Sequence, residues 1–526
     1  MGRQDEIVNE RLKKIGALRK AKVNPYAYVY KKENDSKQLH EKYAKLKSDE
    51  KTKDKAKIAG RVMIIRDIGK LIFADLQDGT GKIQLQLQSD ETPKKDLDFF
   101  KSFVDIGDFI GVEGTILRTK RGELTVLVKK VELLTKAILP LPEKFHGIAD
   151  EEESLRKRYL DIITNPDIKE LFVKKAKFWQ AIRNFLLAKG FLEVETPVLE
   201  TSAGGAAATP FKTHHNALDM DIYLRISMGE LWQKKLMVAG YDKTFEIGRQ
   251  FRNEGMDMEH LQDYTQMEFY WGYADYKDGM KLVEEMYKMV AKEVLGTLKF
   301  KSHGYDVDLG KKWELYDYAE VIKKQTKVDM WKATESEIKK NLDRLGQEYD
   351  NKMDKWRLVD RLWKYCRKNL AGPGFLINQP VELAPLAKRS RENPKVVEQF
   401  QVIIAGTELG NGYSELNDPI DQEERFKEQT KLKARGDVES MEHDESFVEA
   451  LKYGMPPTCG FGVSERFFAY LVNKPVRECV IFPLMKPQNL QDSDGSQNSN
   501  KARGILKPEV KETEKQEVNN KTRKKK

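Results

Sequence analysis

The clearest hydrophobic pattern in this sequence is an alternation of apolar and polar residues between about positions 58 and 136. In the segment KIQLQLQ, Ile83, Leu85 and Leu87 fall on one face of an extended chain, and the intervening glutamines fall on the other. This alternation is typical of a half-buried strand. Turn-forming residues such as DGTG at 78–81 separate similar segments. The pattern predicts a run of about five short antiparallel strands, which indicates a small barrel.

The periodicity becomes that of a helix beyond a linker at 138–160. Leu171, Phe178 and Ile182 recur at helical spacing, and Gly190 supplies a stop signal. Further on, residues 276–400 are mainly helical in pattern. Strand patterns occupy several other segments, the last of which precedes an apolar helix at 464–473; these strands are predicted at 190–200, 243–254, 263–273, 400–416 and 459–463.

The charge of the chain is concentrated at its two ends. The 526 residues include 93 Lys and Arg against 84 Asp and Glu, a net charge of +9. Residues 1–58 carry +8 and residues 487–526 carry +4, which leaves about −3 for the body between them. A basic arm beside a near-neutral body is typical of nucleic-acid binding, although a solvated lysine-rich helix accounts for its composition equally well. The polar tail is expected to be disordered.

The composition also indicates where the protein resides. No segment approaches the roughly 18–20 apolar residues that span a bilayer, and the charged N-terminus lacks the apolar region of a secretory signal. Cys366, Cys459 and Cys479 are far apart and odd in number, which favours reduced core thiols over a zinc site. We therefore expect a soluble, cytoplasmic protein with no membrane partner.

The segment 245–273 is the most informative for chemistry. Alternation along its two predicted strands places Arg252 and Glu254 on the same face as Glu268 and Tyr270, opposite an apolar face. A functional site and a solvated face with cross-strand ion pairs both fit this pattern. The sequence contains neither a GxxxxGK[ST] phosphate loop nor a GxGxxG turn, so any ATP site must hold the phosphates with arginines and metal.

A second polar cluster lies at 406–418, where Glu408, Asn411, Tyr413 and Glu415 occur close together. Several neighbouring carboxylates are unfavourable unless cations join them. Mg²⁺ or a cationic ligand meets that need, and an acidic surface loop is the alternative interpretation.

A third feature is CGFGVSERFFAYL at 459–471. Its small residues lead into a helix whose first turn contains Arg466, a suitable position for binding an anion.

Taken together, these segments resemble the class II lysyl-tRNA synthetases from about residue 58 to 486. GFLEVETPVLE with Pro197 is similar to the first family motif, FRNEG followed by MEFY to the second, and GFGVSER to the third. TELGNGYSELND is the match most specific for lysine. The sequence departs from the usual family pattern at Thr209, in the Leu-Gln-Asp after His260, and at Ser464-Glu465.

The resemblance implies an α+β fold: an OB-fold barrel that binds the anticodon, then a class II catalytic domain whose antiparallel sheet is flanked by helices. The implied domain organisation is a basic helical extension at 1–57, the OB-fold at 58–137, the linker at 138–160, the catalytic domain at 161–486 with its helical insertion at about 276–400, and a disordered tail at 487–526.

The resemblance further implies ATP-dependent activation of L-lysine to lysyl-adenylate, followed by transfer to the 3′ end of tRNA(Lys). Arg252 and Arg466 are the implied catalytic residues, at the α- and γ-phosphates. ATP would be bound by Arg252, Glu254, His260, Tyr264, Glu408 and Arg466. Mg²⁺ is the implied cofactor, with Glu408 and Glu415 near it.

The same resemblance implies the remaining contacts. The lysine-binding residues would be Glu230, Glu268, Tyr270, Asn411, Tyr413 and Glu415. The anticodon-binding residues would be Phe73, Gln84 and Glu123, although Phe73 also fits an ordinary barrel-core position. Pro197 would lie in the interface of a homodimer. Two alternatives remain open: an aspartyl- or asparaginyl-tRNA synthetase, and a non-charging paralogue that binds RNA or protein.

Overall fold

The computed structural model describes residues 2–142, 150–202, 204–206, 208–255, 260–351, 353–434 and 443–487. Residues Met1–Pro483 form one compact unit, and Leu484–Lys526 form a second, of which only 484–487 are described. The predicted tail, beyond its first residue, and part of the predicted linker therefore lie outside the described residues. Within the described ranges, no helix is both long and apolar enough to cross a membrane.

The N-terminal segment contains helix α1 (Arg3–Lys20) and helix α2 (Ser36–Lys42). Leu18 of α1 is buried in the same apolar cluster as the core of the following barrel. Arg11 donates hydrogen bonds of 2.8 to 3.2 Å to three backbone carbonyl oxygens. Two of these carbonyls follow the last barrel strand, and the third precedes the fourth strand. Lys14 pairs with the Asp105 carboxylate at 2.7 Å. Part of the basic charge of this arm therefore anchors α1.

Five strands form a closed barrel in the order β1-β2-β3-β5-β4. They are β1 (Lys51–Asp67), β2 (Leu71–Gln77), β3 (Lys82–Gln88), β4 (Phe109–Arg118) and β5 (Leu124–Thr135), with helix α3 (Lys94–Phe103) between β3 and β4. The predicted alternation on β3 is confirmed, because Ile83, Leu85 and Leu87 lie in the barrel core. Strand β1 begins at Lys51, earlier than the predicted domain start at 58.

Three helices connect the barrel to the second domain, namely α4 (Glu151–Arg156), α5 (Arg158–Thr164) and α6 (Pro166–Ala188). Helix α6 contains the predicted apolar stripe and ends before Gly190, whose φ of +80° favours glycine. The prediction of a strand at 190–200 is wrong for most of that segment. Only β6 (Leu192–Glu193) and β7 (Leu199–Glu200) form, and Pro197 between them has no N–H for a strand ladder.

The rest of the second domain alternates strands and helices. In chain order they are β8 (Lys212–His215), β9 (Met220–Leu224), α7 (Glu230–Val238), β10 (Lys243–Phe251), β11 (Asp263–Gly272), α8 (Tyr276–Leu295), β12 (Lys299–Ser302), β13 (Tyr305–Asp308), β14 (Glu314–Asp317), α9 (Tyr318–Thr326), α10 (Glu335–Arg344), α11 (Lys355–Arg367), β15 (Gly374–Ile377), a 3₁₀ turn (Val381–Leu383), β16 (Gln399–Ile404), β17 (Thr407–Ser414), α12 (Pro419–Ala434), α13 (Glu445–Lys452), β18 (Thr458–Ser464), α14 (Arg466–Leu471) and a second 3₁₀ turn (Val476–Cys479).

An eight-stranded sheet in the order β14-β15-β16-β17-β18-β11-β10-β6 forms the centre of this domain. Neighbouring strands are antiparallel except at the two edges, where β14 and β6 run parallel to their neighbours. Helices α6 and α8 pack on its apolar face, where Phe245, Met267 and Phe269 are fully buried. The predicted antiparallel sheet flanked by helices, and the apolar face of its central hairpin, are therefore confirmed. Cys366, Cys459 and Cys479 are buried and free.

The segment predicted as a mainly helical insertion has a core of its own. Residues of α9, α10 and α11, among them Leu342, Leu358 and Leu362, form an apolar cluster separate from the main one. The segment also contains the hairpin β12–β13 and the strands β14 and β15, which extend the central sheet. Because β14 and β15 pair with the edge of the central sheet next to β16, the insertion is held beside that sheet.

Candidate active site

A cavity of about 710 Å³ opens on the polar face of the central sheet. It brings together every catalytic-domain residue that was proposed to bind lysine, ATP or metal. Those twelve residues all line it: Glu230, Arg252, Glu254, His260, Tyr264, Glu268, Tyr270, Glu408, Asn411, Tyr413, Glu415 and Arg466.

Glycines on β18 keep the floor of this cavity open. Gly462 stands between Glu268 on β11 and Asn411 on β17 in one row of the sheet, so these two side chains face each other across roughly 10 Å, or two strand spacings. A Cβ at Gly460 would collide with the Glu415 carboxylate, and one at Gly462 would press on Glu268 at 3.1 Å. Glycine at positions 460 and 462 therefore leaves the space that the Glu415 and Glu268 side chains occupy.

A bulge on β17 brings Glu408 to the cavity. Glu408 pairs with Ile403 and Asn411 pairs with Gln401, so two residues of β17 oppose one residue of β16. The extra residue reverses the alternation, and Glu408 falls on the same face as Asn411 despite their odd spacing. Strict alternation from Glu415 would have placed Glu408 in the core.

Glu268 is held by three hydrogen bonds at one end of the cavity. One carboxylate oxygen accepts from the backbone N–H of Met228 (3.1 Å) and from Gln266 (2.7 Å), and the other accepts from the Tyr270 hydroxyl (3.0 Å). Burial raises the pKa of Glu268 to about 7, and the neighbouring carboxylate of Glu230 adds to this rise. The group is therefore fixed in position and short of positive charge.

Lys234 joins two of the other carboxylates at this end. Its ammonium lies 2.8 Å from Glu230 and 2.6 Å from Glu415, and Tyr413 donates a short hydrogen bond to Glu230. Burial by itself would lower the pKa of Lys234, but the two carboxylates raise it, so the side chain remains charged. Lys234 is not predicted from the sequence, because a Glu and a Lys four residues apart usually form an exposed helix pair.

The acid end of the cavity, formed by Glu230, Glu268 and Glu415, is consequently short of positive charge. All three carboxylates are at least 90% buried. Lys234 pairs with Glu230 and Glu415, so the three carboxylates and this lysine carry a net charge of −2 when all of them are ionised. Burial raises the pKa of Glu415 to about 8, although Lys234 opposes the rise. An uncompensated charge in such a place is costly, and a ligand carrying two ammonium groups would neutralise it.

The opposite end of the cavity is basic. Tyr264 stands four residues before Glu268 on β11, about 13 Å along the strand, and the Arg252 guanidinium lies 5.9 Å from its ring. Arg466 begins helix α14, and its buried Nε has no hydrogen-bond partner within the described part of the chain. Buried donors are normally paired, so Arg466 indicates an acceptor that a ligand supplies.

Helix α11 adds three basic residues that the sequence does not predict as part of the site. Arg361, Lys364 and Arg367 line the cavity, and Arg367 lies 3.8 Å from Glu408. Burial raises the pKa of Glu408, while Arg367 and Arg466 oppose the rise. Basic residues near a helix C-terminus favour the helix dipole anyway, so the sequence alone could not assign them to a site.

A buried ion pair supports the floor between the two ends. Arg225, directly after β9, contacts Glu246 on β10 at 2.5 Å, and Thr196 donates its hydroxyl to the same carboxylate at 2.6 Å. The next residues after β9 carry the Met228 N–H that holds Glu268, and Gly229, with a φ of +65°, starts helix α7 at Glu230. The Arg225–Glu246 ion pair thus helps to position Glu268 and Glu230.

The predicted anticodon residues lie on one outer face of the barrel. Phe73 is half-buried between the core residues Ile72 and Ala74, so it is not a core residue. Gln84 accepts a hydrogen bond from Thr125 at 3.1 Å, and β2 pairs with β3 so that both predicted side chains share a face. Glu123 is exposed just before β5.

Three curated proteins illustrate the similarity of the whole chain to known enzymes. A lysine–tRNA ligase of Thermotoga maritima is 42% identical over 93% of this chain and 98% of its own length. Lysine–tRNA ligases of Moorella thermoacetica (41%, covering 92% and 99%) and Nostoc punctiforme (43%, covering 92% and 88%) are similarly close.

Two family models match in succession. An OB-fold nucleic acid binding domain matches residues 56–134, and tRNA synthetases class II (D, K and N) match residues 150–486. Since the second match covers well over half of the chain and includes every residue of the cavity, the chain belongs to the class II tRNA synthetases of the D, K and N group.

Proposed function

We propose that this chain ligates L-lysine to tRNA(Lys). ATP first converts lysine to lysyl-adenylate with release of pyrophosphate, and a 3′-terminal hydroxyl of the tRNA then accepts the lysyl group. The observation that carries this proposal is the acid end of the cavity, whose charge of −2 with all three carboxylates ionised matches the two ammonium groups of lysine. The relatives that bear the name lysine–tRNA ligase support it.

Lysine is oriented by the three carboxylates. Glu268 and Tyr270 bind the side-chain ammonium, because Glu268 is deeply buried and keeps an acceptor oxygen next to the tyrosine hydroxyl. Glu230 binds the α-amino group. The remaining lysine-site residues, Asn411, Tyr413 and Glu415, line the same end of the cavity. A neutral analogue leaves these charges uncompensated and is rejected.

ATP binds towards the basic end. Arg252 neutralises the α-phosphate and Arg466 the γ-phosphate, while Glu254 accepts from the adenine amino group. His260 and Tyr264 cover the nucleotide, with Tyr264 stacked on the adenine. The attacking group is the lysine carboxylate, already a nucleophile, so the step requires alignment and charge neutralisation more than a general base.

Magnesium, the cofactor implied by the family, fits Glu408 better than Glu415. Mg²⁺ typically takes one or two protein carboxylates and completes its shell with phosphates and water. Glu408 faces the phosphate end of the cavity, whereas Glu415 is engaged by Lys234. No group of three His, Cys, Asp or Glu side chains suited to a metal occurs among the described residues. When bound, the metal would neutralise phosphate charge.

The OB-fold barrel binds the anticodon of the tRNA. Single-stranded bases are typically stacked on aromatic side chains and hydrogen-bonded at their edges. Phe73, Gln84 and Glu123 occupy an outer face of the barrel that suits this mode.

A cytoplasmic location remains a prediction.

The alternatives account less well for the cavity. A site for aspartate needs Lys or Arg near the substrate side chain, yet here Lys234 is already paired with Glu230 and Glu415. A paralogue that has lost tRNA charging would have no need of both the barrel and the complete set of phosphate-facing arginines.

ATP–pyrophosphate exchange tests the substrate directly. We expect lysine to drive exchange, while aspartate and asparagine do not. Glu268→Gln removes one charge from the acid end without changing its size, so kcat/KM for lysine should fall about 100-fold, the value of a lost charged hydrogen bond. Glu293→Gln, an exposed position on α8, is the matched control and should leave exchange unchanged. Exchange driven by aspartate or asparagine instead of lysine contradicts the proposal.

Lysine binding should release protons near neutral pH. In the empty site the pKa of Glu268 is raised to about 7 and that of Glu415 to about 8, so both are partly protonated at pH 6.5. An ammonium ligand favours their ionised forms, so the Kd for lysine should begin to rise as the pH falls below about 8 and should rise more steeply below about 7, approaching tenfold per unit for each proton released. Calorimetry at pH 6.5 in two buffers of different ionisation enthalpy measures this release; identical enthalpies would contradict it.

The exposed cations of the N-terminal arm should strengthen tRNA binding without adding sequence choice. Deleting residues 1–57 is unsuitable, because Leu18 packs in the barrel core and β1 begins at Lys51. Replacing the exposed Lys13, Arg19 and Lys20 by Gln instead should reduce the slope of log K against log salt concentration by about 2 to 3, if each of the three contacts a phosphate.

The control for the arm is a triple change to Gln on exposed residues around the β12–β13 hairpin, at Lys299, Lys301 and Lys311. Filter binding of tRNA(Lys) over a range of salt concentrations compares the two variants. Equal slopes for both would show that the exposed cations of α1 are only solvated and do not contact tRNA.

A homodimer is the expected assembly, with Pro197 in its interface. Val198 and Leu199 next to this proline are 40% and 53% exposed, and Leu187 and Leu192 nearby are also exposed. Such apolar side chains on one segment are typical of an interaction surface. Light scattering should give about twice the chain mass of 60.9 kDa, and a stable, active monomer would count against the dimer.

A further inference from the structure

The C-terminal half of helix α11 presents a row of cations to the basic end of the cavity. Arg361, Lys364 and Arg367 are spaced by three residues, so they lie along one side of the helix. Leu362 and Cys366, on another side, are buried in the separate core of the insertion. The packing of the insertion therefore directs this row towards the cavity, which all three residues line.

The three cations differ in how well they are neutralised. Lys364 forms an ion pair with Asp360 at 2.8 Å. Among the described residues, the acidic partner of Arg367 is Glu408 at 3.8 Å, which is too long for a hydrogen bond. Its Nε is buried and has no hydrogen-bond partner within the described part of the chain.

Arg367 and Arg466 share this property. Both line the same cavity, and each has a buried Nε without an acceptor in the part of the chain that the structure describes. Two unsatisfied guanidinium donors from separate elements, α11 and α14, point to one anion with several acceptor oxygens. A polyphosphate fits this description, because arginine binds phosphate oxygens through planar, paired hydrogen bonds.

We propose that Arg367 is a further phosphate-binding residue, which holds the β- and γ-phosphates of ATP and the departing pyrophosphate. This inference rests on the proposed function for the identity of the nucleotide. Arg252, directly after β10, binds the α-phosphate. Arg466 binds the outer phosphates from α14, and Arg367 binds them from the insertion. The insertion is thereby part of the active site, and it stabilises the charge that develops on the leaving group as the bond between the α-phosphorus and its bridging oxygen breaks.

Arg367→Gln tests this assignment by separating ligands that possess the outer phosphates from one that does not. The Kd values for ATP and for inorganic pyrophosphate, measured by calorimetry, should rise about 10- to 100-fold, the range for a lost charged hydrogen bond. The Kd for AMP should stay within about twofold. Arg344→Gln is the matched control: Arg344 is exposed on α10 of the same insertion, does not line the cavity, and should change none of the three values.

Arg367→Lys keeps the charge but loses the paired donors, so it should give an intermediate rise for ATP and pyrophosphate. This variant also tests the proposal if Arg367→Gln does not fold. An unchanged Kd for ATP in either folded variant, or equal losses for ATP and AMP, would overturn the proposal. Lysine-driven exchange by the unaltered enzyme tests the proposed function separately, because the comparison of ATP with AMP requires no amino acid.

Discussion

The shortage of positive charge among Glu230, Glu268 and Glu415 is the constraint on which the rest of the site depends. Three buried carboxylates with a single lysine between them are unfavourable unless a ligand completes the cluster. The surrounding structure accordingly fixes each group: Tyr270 and a backbone N–H hold Glu268, and Tyr413 holds Glu230. The unfavourable free energy of burying these carboxylates is relieved when a ligand with two ammonium groups binds, and this relief contributes to the affinity for that ligand.

The central sheet arranges the site's side chains in a straight row beside a groove. Because alternate residues of a strand share a face, β11 presents Tyr264, Gln266, Glu268 and Tyr270 in a straight row about 20 Å long. Glycines on the adjacent β18 leave a groove beside this row. One strand thus separates the acid end from the basic end, and its length sets the span available to a joined amino acid and nucleotide.

Much of this arrangement was predictable from local patterns, and the exceptions have physical causes. The hairpin of β10 and β11 and the barrel strand at Ile83 follow simple alternation, so the sequence predicts their faces correctly. The bulge that turns Glu408 towards the cavity depends on pairing with β16, which no single segment encodes. Lys234 and Arg367 look like ordinary helix-surface cations, and only tertiary packing buries Lys234 and directs Arg367 towards the cavity.

The opposed charges at the two ends also fix the direction in which lysine lies. Its two ammonium groups are attracted to the acid end, and that end repels its carboxylate. Positive charge that can compensate the carboxylate lies at the basic end, where Arg252 lines the cavity. Nucleophile and phosphorus therefore meet at the boundary between two fields of opposite sign, and electrostatics performs the alignment that a general base could not provide.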